Sequence, residues 1–395
     1  MSPNHTAARP WDGPHAGLRP SDDELARRRT AVRALMEEEG VEALLLYGSP
    51  GLDGEVNYLA DFNVTREAVL VVPATGEPAL YIEYFNHVPH ARRSARGCEV
   101  RWGHEQIAET VADDLRRRGL ARTSVGFAGL LPVQRYHALC EELPSVNFRD
   151  LTPVLRRLRL VKSEEEIALL RRGAWLTDLA MEALAREARP GLTEYDLVAL
   201  IEAAYLGAGG QTTIHYLATT PMEAPVRCVP AQQPSRRTLA PGDVLLTEIS
   251  AQYRGYPGQA LRPFTIGAGP TPRYQRMYDV AVEAFERIAA ILKAGATTDE
   301  VLDAAEYIHA EGFTICDDLL HGYGGGYLPP ILRTRRTRAH PHPPFRFEAN
   351  MTVVIQPNVI TPDEQAGVQV GELVRITQGG VERLHTYPMR FTRCG

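Results

Sequence analysis

Apolar residues recur along the chain with two periods, that of an amphipathic helix and that of a buried strand. A helix is predicted over residues 21–39, where Ser21 and Glu24 form a capping box and Gly40 follows the last turn. The runs VEALLLYG and TSVGFAG predict buried strands, and EQIAETVADDLRRRG and VQRYHALCEEL predict helices. Because strands and helices alternate over residues 21–155, we predict an α/β domain with a mixed sheet.

Beyond residue 155 the helical stretches become longer and the strands come in pairs. Capping boxes at Ser163 and Thr193 predict two helices, and PRYQRMYDVAVEAFERIAAILKAG and TTDEVLDAAEYIHAEG predict two more. The run GVQVGELVRIT predicts a strand. Residues 156–395 are therefore predicted to form an α+β domain whose helices cover one face of a curved antiparallel sheet. Residues 1–20, rich in Pro, Gly and His, predict a flexible tail.

The composition excludes several classes of function. With 395 residues, 44% apolar and 23% charged, the chain suits a two-domain soluble protein. A net charge of −6 gives no basic surface for nucleic acid. No apolar run approaches the ~20 residues that cross a bilayer, and the N-terminus lacks the apolar centre of a secretory signal. Five scattered cysteines without a C-x-x-C pair predict reduced thiols, so we expect a cytoplasmic protein without nucleic-acid or membrane partners.

Five motifs, in order along the chain, carry a family resemblance. They are NYLADF, RLRLVKSEEEIALLRRG, LAPGDVLLTEISAQYRGY, HGYGGGY and ANMTVVIQPNVI. Together they resemble the creatinase/Xaa-Pro aminopeptidase family, peptidase family M24. The resemblance covers nearly the whole chain. It implies a creatinase-like N-terminal α/β domain followed by a catalytic domain with the pita-bread fold.

The resemblance also implies a metal site, and this chain departs from the family at that site. The family holds two metal ions with two Asp, one His and two Glu side chains. The matching positions here are Glu248, Gln259, His321, Gln356 and Gly371. Neutral amide oxygens are weak ligands and glycine has no side chain, so two cations would lack the negative charge that they require. We therefore expect no metal and no cofactor.

Glu372, one residue beyond Gly371, is the carboxylate nearest in sequence to the lost ligand position. Successive side chains of a strand point to opposite faces, so a shift of one residue turns Glu372 away from the site. We expect Glu372 to face outward and to pair with a basic residue. Only a β-bulge would bring it into the site.

Creatinase has this fold and lacks the metals, and the chain resembles it in those losses. Leu261 replaces the carboxylate of creatinase's A-L-E-R motif, and Gln356 replaces a second carboxylate, so creatine is not the expected substrate. In metal-free relatives the first domain of one subunit closes the active site of the other. This implies a homodimer in which Phe62 and Arg66 act in trans. The alternative places Phe62 in the local core and Arg66 on the surface.

Three residues are candidates for catalysis. His321 is the candidate general acid/base, because imidazole titrates near neutral pH. Glu248 could orient His321 or act as the base itself, with its pKa raised if it is buried. Tyr323 could donate a proton or bind an oxyanion. The alternative for each side chain is a structural hydrogen bond.

The candidates for substrate binding predict a cavity that is neutral to basic. Gln259, Gln356, Arg262 and Tyr256 would offer hydrogen bonds to a carboxylate, carbonyl or amide group. His215, on a predicted strand, would add an imidazole, or it would be a core residue. Arg335 lies in the arginine-rich segment 331–348, whose prolines predict an extended loop that could bind a carboxylate or phosphate. A solvated loop or a dimer contact is the alternative for that segment.

We therefore expect a metal-independent, creatinase-like enzyme, a hydrolase or lyase. It would act on a C–N or related bond of a small polar metabolite that bears a carboxylate or an amide, as in specialised metabolism. Two alternatives stay open. One is a non-catalytic pita-bread module that binds a ligand or peptide, and the other is a residual Xaa-Pro dipeptidase.

Overall fold

A computed structural model describes residues 17–52 and 54–395 of the chain. They form two compact units, Arg19–Arg159 and Leu160–Gly395, and residues 17 and 18 belong to the second. Most of the predicted N-terminal tail, residues 1–16, lies outside the described residues. The predicted domain boundary between residues 155 and 156 falls inside a helix of the first unit. No helix within the described ranges is both long and apolar enough to cross a membrane.

The first unit is an α/β domain, as predicted. Its sheet has the strand order β4-β3-β2-β1-β5-β6, in which β1–β2 and β2–β3 are antiparallel and the other three pairs are parallel. A 3-10 turn (Phe85–His87) precedes the third helix. In chain order the elements are α1 (Asp22–Glu38), β1 (Ala43–Gly48), α2 (Gly54–Ala60), β2 (Ala68–Pro73), β3 (Ala79–Ile82), α3 (Val88–Ser94), β4 (Glu99–Trp102), α4 (Ile107–Arg117), β5 (Ser124–Ala128), α5 (Val133–Glu142), β6 (Asn147–Asp150) and α6 (Thr152–Leu158).

Helices cover both faces of this sheet because its central strand is apolar on both sides. Leu44 and Leu46 of β1 pack with residues of α1, α2, α3 and α6. Leu45 and Tyr47 pack on the other face with residues of α4 and α5. The predicted first helix is confirmed, and the Ser21 hydroxyl that begins it accepts the main-chain N–H of the residue three positions on at 3.0 Å.

The second unit combines four long helices with an antiparallel sheet. Capping boxes at Ser163 and Thr193 begin the helices α7 and α8, which confirms the two helices predicted from these boxes. The helix predicted from TTDEVLDAAEYIHAEG is also confirmed as α10, and it begins with a further capping box at Thr297. In chain order the elements are α7 (Glu164–Glu187), α8 (Glu194–Leu206), β7 (Gln211–Pro221), β8 (Asp243–Tyr253), β9 (Tyr256–Leu261), β10 (Phe264–Ile266), α9 (Pro272–Ile291), α10 (Thr298–Ala310), β11 (Leu320–Tyr323), β12 (Tyr327–Leu332), β13 (Thr352–Ile355), β14 (Asn358–Ile360), β15 (Gly367–Gln369), β16 (Gly371–Ile376), β17 (Val381–Arg383) and β18 (Thr392–Cys394).

The large sheet of this unit has ten strands. Eight follow the order β12-β11-β13-β16-β9-β8-β10-β18, β7 pairs with β8, and β17 pairs with β16. Every pair is antiparallel except β10–β18. Helices α7 and α8 share one core cluster with β8 and β9, and α9 and α10 share another with β13 and β16.

The β13–β16 ladder continues in the same register into the β14–β15 hairpin. Ile355 pairs with Glu372, and further along Asn358 pairs with Gln369. Residues directly opposite share a face and neighbours alternate. Gln356, Asn358 and Gln369 therefore lie on the face opposite to the core around α9. The core-facing residues of this ladder include Val353, Ile355, Val359, Val368 and Val370.

Candidate active site

Four of the predicted site residues come together from four strands of the large sheet, with β16 in the middle of them. Glu248 lies on β8, Gln259 on β9, His321 on β11, and Gln356 directly follows β13. On β8 and β9 the register pairs Ser250 with Gln259, which puts Glu248 and Gln259 on one face. The four predicted residues are buried, and Glu248 is the most accessible of them at 8% exposure.

Hydrogen bonds link these four side chains into one cluster. Gln259 Nε2 donates to Glu248 Oε1 at 2.8 Å and to Gln356 Oε1 at 3.0 Å. His321 Nε2 lies 3.3 Å from the same Gln356 oxygen. Its Nδ1 lies 3.1 Å from the carbonyl oxygen of Gly322. The amide of Gln259 thus connects the carboxyl group to the amide that contacts the imidazole.

Burial shifts the pKa values of Glu248 and His321 in opposite directions. Burial, together with the carboxylates of Asp317 and Asp318, raises the pKa of Glu248 to about 8. Burial lowers the pKa of His321 to about 4, against upward effects from the Gly322 carbonyl, Asp318 and Gln356. At neutral pH Glu248 therefore carries a proton and His321 is neutral. In these states the carboxyl group can donate a proton and the imidazole can accept one.

Asp318 and Tyr327 belong to the cluster and were missed by the sequence reasoning. The Tyr327 ring stacks on His321, with centroids 4.0 Å apart and an interplanar angle of 25°. Its hydroxyl donates to Asp318 Oδ2 at 2.5 Å, and the Asp318 carbonyl accepts from Gln356 Nε2 at 3.2 Å. Tyr327 is 44% exposed and His321 is fully buried, so Tyr327 stands between the imidazole and solvent. The available signal was position, because Tyr327 is the last residue of the HGYGGGY motif and Asp318 lies three residues before His321.

Tyr323 also lies in the cluster. Its hydroxyl donates to Ser250 Oγ at 3.3 Å, and its ring meets the His321 ring edge-on with centroids 5.2 Å apart. Burial raises its pKa. Across the β7–β8 pair, Tyr216 stands opposite Glu248 on the same face. Ser250 and Tyr216 were not among the predicted residues.

Arg262 was predicted to enter the cavity, and this is wrong. Its guanidinium is fully buried and pairs with Glu372. It also donates to the main-chain oxygens of Gly371 at 2.6 Å and Tyr387 at 3.1 Å. The reason is strand alternation, since Gly371 pairs with Leu261 and Glu372 with Ala260 on the opposite face. The expectation that Glu372 faces away from the site and pairs with a basic residue is confirmed.

His215 and Tyr256 also lie away from the cluster. His215 pairs with Ile249 on β8, on the face opposite to Glu248. Its Nε2 lies 2.6 Å from the hydroxyl of Tyr205 on α8, and burial lowers its pKa. The hydroxyl of Tyr256 donates to Glu166 at 3.2 Å. Both predicted substrate contacts are therefore wrong, because these side chains face helices.

Arg335 does not reach the cluster either. It pairs with Asp299 at 3.1 Å and with Asp303 at 2.8 Å, both on α10. A neighbouring arginine of the same loop, Arg333, lies 3.4 Å from Asp318. With Arg262 and Arg335 paired elsewhere and two aspartates beside the cluster, the predicted basic character of the cavity is also wrong.

Phe62 and Arg66 lie in the first unit. Phe62 is 5% exposed and belongs to that unit's core. Arg66 is exposed and its guanidinium donates to the hydroxyl of Tyr84 at 2.7 Å. The expectation that both residues act in a partner's site, and the homodimer that it requires, stay predictions.

The residues at the family's metal positions do not fit a pair of cations. Two of the four side chains are amides, and the Gln259 nitrogen points hydrogens at both Glu248 Oε1 and Gln356 Oε1. A donor in that place already satisfies the oxygens that a cation would need. Among residues 17–52 and 54–395 no group of three or more His, Cys, Asp or Glu side chains is arranged to hold a metal ion.

Comparison with known families identifies both parts of the chain. Residues 168–378 match the model of metallopeptidase family M24, and residues 28–161 match that of the creatinase/prolidase N-terminal domain. The uncharacterized peptidase YqhT of Bacillus subtilis is 25% identical over 351 residues, 85% of this chain and 94% of YqhT. The Xaa-Pro dipeptidase of Pyrococcus furiosus is 24% identical over 261 residues, 66% of this chain and 73% of that relative.

Solved structures share the fold. The X-Pro aminopeptidase of Thermotoga maritima gives a TM-score of 0.80 at 19% identity, over 92% of this chain and 99% of the other. The Xaa-Pro dipeptidase of Bacillus anthracis gives 0.78 at 22% identity, over 93% and 99%. These likenesses confirm the predicted fold class, an α/β N-terminal domain followed by an α+β pita-bread domain.

Proposed function

The chain belongs to metallopeptidase family M24, and from this premise we propose that it is a metal-independent hydrolase or lyase with that family's fold. The proposed substrate is a small polar metabolite that bears a carboxylate or an amide. The bond broken is a C–N bond or a related one.

One observation carries the proposal. The Gln259 amide nitrogen lies 2.8 Å from Glu248 Oε1 and 3.0 Å from Gln356 Oε1, so a hydrogen-bond donor joins oxygens at the family's ligand positions. A neutral donor set of this kind binds and orients polar groups, and it does not concentrate the charge that a dinuclear centre needs.

The two titratable groups of the cluster then divide the proton transfers between them. Glu248, with a pKa of about 8, is protonated at neutral pH and is the proposed general acid toward the leaving group. His321, with a pKa of about 4, is neutral and is the proposed base toward water or an internal nucleophile. Activity that depends on both states should be level between about pH 4 and about pH 8. The sequence predicted His321 as general acid/base, with Glu248 as its orienting partner or as the base, and the proposal instead gives Glu248 the role of acid.

A chelator experiment tests metal independence. Full-length protein dialysed against EDTA is incubated with a panel of small amides, ureas and N-acylated amino acids, and products are detected by proton NMR. We expect turnover of at least one compound without added metal. His321→Ala should lower the rate by about 10²–10⁴-fold.

Two controls make that experiment decisive. Tyr205→Phe removes a hydroxyl that contacts His215 on the helix-facing side of the sheet, 2.6 Å away, and should leave the rate unchanged. Turnover that needs added Mn²⁺ or Co²⁺, or full activity in His321→Ala, would contradict the proposal.

A residual Xaa-Pro dipeptidase is the second candidate, and the relatives favour it. The P. furiosus protein that matches 66% of this chain is named an Xaa-Pro dipeptidase. This candidate predicts that a Xaa-Pro dipeptide is cleaved and that Mn²⁺ or Co²⁺ raises the rate. The neutral ligand positions oppose it, so we expect neither cleavage nor a metal-dependent rise in Tm for the wild-type chain.

A further inference from the structure

Gln369, on β15, is a buried side chain whose hydrogen bonds the fold leaves open. The residue is 1% exposed. Neither its Nε2 nor its Oε1 has a hydrogen-bond partner among the described residues. A buried amide without partners loses its hydrogen bonds to water and gains none in return, which destabilises the fold. Such a group therefore points to a ligand.

The strand register places Gln369 on the face that carries Gln356. Asn358 pairs with Gln369 across the β14–β15 hairpin, and side chains directly opposite share a face. The amides of Asn358 and Gln356 both donate to the carbonyl oxygen of Asp318, at 3.2 Å each. Gln369 thus lies on the same side of the ladder as the amide that contacts His321.

Two glycines flank Gln369 on this strand face. Gly367 and Gly371 stand two positions before and after it. A side chain at Gly367 would collide with the carbonyl oxygen of Cys228, and one at Gly371 would collide with that of Ile355. Main-chain atoms therefore occupy both neighbouring positions, and Gln369 supplies the polar side chain between them.

We propose that Gln369 binds the substrate through a paired amide contact, and that the substrate carries a primary carboxamide or a lactam. The proposal rests on the proposed function in one respect: it takes the face of the sheet that carries Gln356 as the substrate site. A glutamine amide presents an acceptor and N–H donors side by side. A substrate amide satisfies both, whereas a carboxylate leaves Oε1 unpaired and an ammonium group leaves Nε2 unpaired.

The charges beside the cluster also favour a neutral ligand. Asp318 lies next to the cluster, and Arg333, 3.4 Å from it, is already its partner. Arg262 is paired with Glu372, and Arg335 with α10. A substrate carboxylate would therefore meet Asp318 without either of the arginines that the sequence assigned to it.

Binding of small probes to the full chain tests the proposal. Acetamide and 2-pyrrolidinone are compared with acetate and methylammonium by saturation-transfer NMR. We expect saturable binding of the two amides only. Gln369→Leu should weaken amide binding about tenfold or more, because the apolar side chain offers neither hydrogen bond. The same variant should keep or raise Tm, since it removes an unpaired buried amide.

Gln365→Leu is the matched control. Gln365 is exposed, lies in the turn of the same hairpin and donates to the main chain of Asp363 at 3.2 Å, so its loss should leave amide binding unchanged. Three results would overturn the proposal: no saturable amide binding by the wild type, acetate binding as tight as acetamide, or normal amide binding by Gln369→Leu. A marked fall in Tm of Gln369→Leu would also overturn it, because the amide would then be structural.

The binding experiment needs no turnover, so its outcome is separate from that of the proposed function. Activity that requires metal would refute the catalytic proposal, but it would not change the affinities of the amide probes on which the role of Gln369 is judged. Loss of the amide preference would refute the role of Gln369 and leave the chelator experiment as it stands.

Discussion

Glu248 shows how the neighbours of a carboxyl group determine its chemistry. Its carboxyl group is buried and receives a hydrogen bond from Gln259 at 2.8 Å, but no cation compensates its charge among the contacts described. Ionisation in such a place is opposed by desolvation and by nearby carboxylates. The same residue would ionise readily beside a metal ion. Because Gln259 and Gln356 are neutral and bring no cation, Glu248 keeps its proton.

Glu248 should make the protein less stable as the pH rises. Its pKa is 4.5 when exposed and about 8 in the fold. Between these values the folded chain keeps a proton that the unfolded chain has lost, so the free energy of unfolding falls with increasing pH. Glu248→Gln cannot titrate and should lose this dependence. Urea unfolding of both proteins at about pH 5 and about pH 9 measures the effect, which we expect on the order of a few kcal/mol in favour of the variant at the higher pH.

An exposed carboxylate provides the control for that measurement. Glu141→Gln changes a side chain on the solvent face of α5 and should leave the pH dependence as in the wild type. Parallel pH profiles for Glu248→Gln and the wild type would contradict a raised pKa at this residue.

At the scale of elements, the β11–β12 hairpin builds one wall of the cluster. Gly322 allows the two strands to approach, because a side chain there would collide with the carbonyl oxygens of Leu328 and Pro329. The turn that follows returns the chain so that Tyr327 stacks on His321 at 4.0 Å. The hydroxyl of Tyr327 fixes this position through Asp318. One short hairpin thus supplies both the imidazole and its cover.

Removal of that cover should expose His321 to chemical modification. Diethylpyrocarbonate reacts with neutral imidazole, and His321 is neutral above about pH 4. We expect Tyr327→Ala to raise the rate of carbethoxylation of His321 by about an order of magnitude, measured by peptide mass spectrometry. Tyr327→Phe keeps the ring and should keep most of the protection. Exposed His137 is the internal standard, and equal His321 rates in wild type and Tyr327→Ala would contradict the assignment.

The sequence predicts the helices and strands better than it predicts which face of the sheet each strand side chain occupies. Capping boxes and apolar periodicity predicted α7, α8 and α10, because these signals are local. The sequence motif placed Arg262 in the site, and its side chain lies on the opposite face of the sheet. A strand changes face with each residue, so a position known only to within one residue leaves the face undecided. Register depends on partners distant in sequence, and no local signal reports it.

The same contrast between local signals and long-range contacts separates the site residues that were predicted from those that were missed. His321, Gln259 and Gln356 could be identified because a family motif fixes their positions. Tyr327 lies in the same motif as His321, but its contact with the imidazole depends on how the hairpin closes, which the motif does not report. Gln369 stands out only when its burial and its unpaired amide are known.

At the scale of the whole molecule, each of the two units has its own core. In Arg19–Arg159 apolar clusters lie on both faces of a six-stranded sheet. Buried polar groups of this unit are also paired within it, for example Arg28 with Glu24 at 2.7 Å and with the carbonyl of Tyr58 at 2.9 Å. A unit that buries a sheet on both faces and pairs its buried charges has what an independent domain requires.

A fragment of residues 19–159 should therefore fold alone. We expect a single cooperative thermal transition by circular dichroism and dispersed amide signals by NMR, because both sheet faces are covered within the fragment. Leu44→Asp in the same fragment places a charge in the centre of the sheet and should abolish the transition, since an unpaired buried carboxylate is costly. A fragment that is unfolded without this substitution would show that contacts outside 19–159 are needed for its stability. The self-contained core argued from these residues would then be refuted, whatever the outcome for the catalytic cluster in Leu160–Gly395.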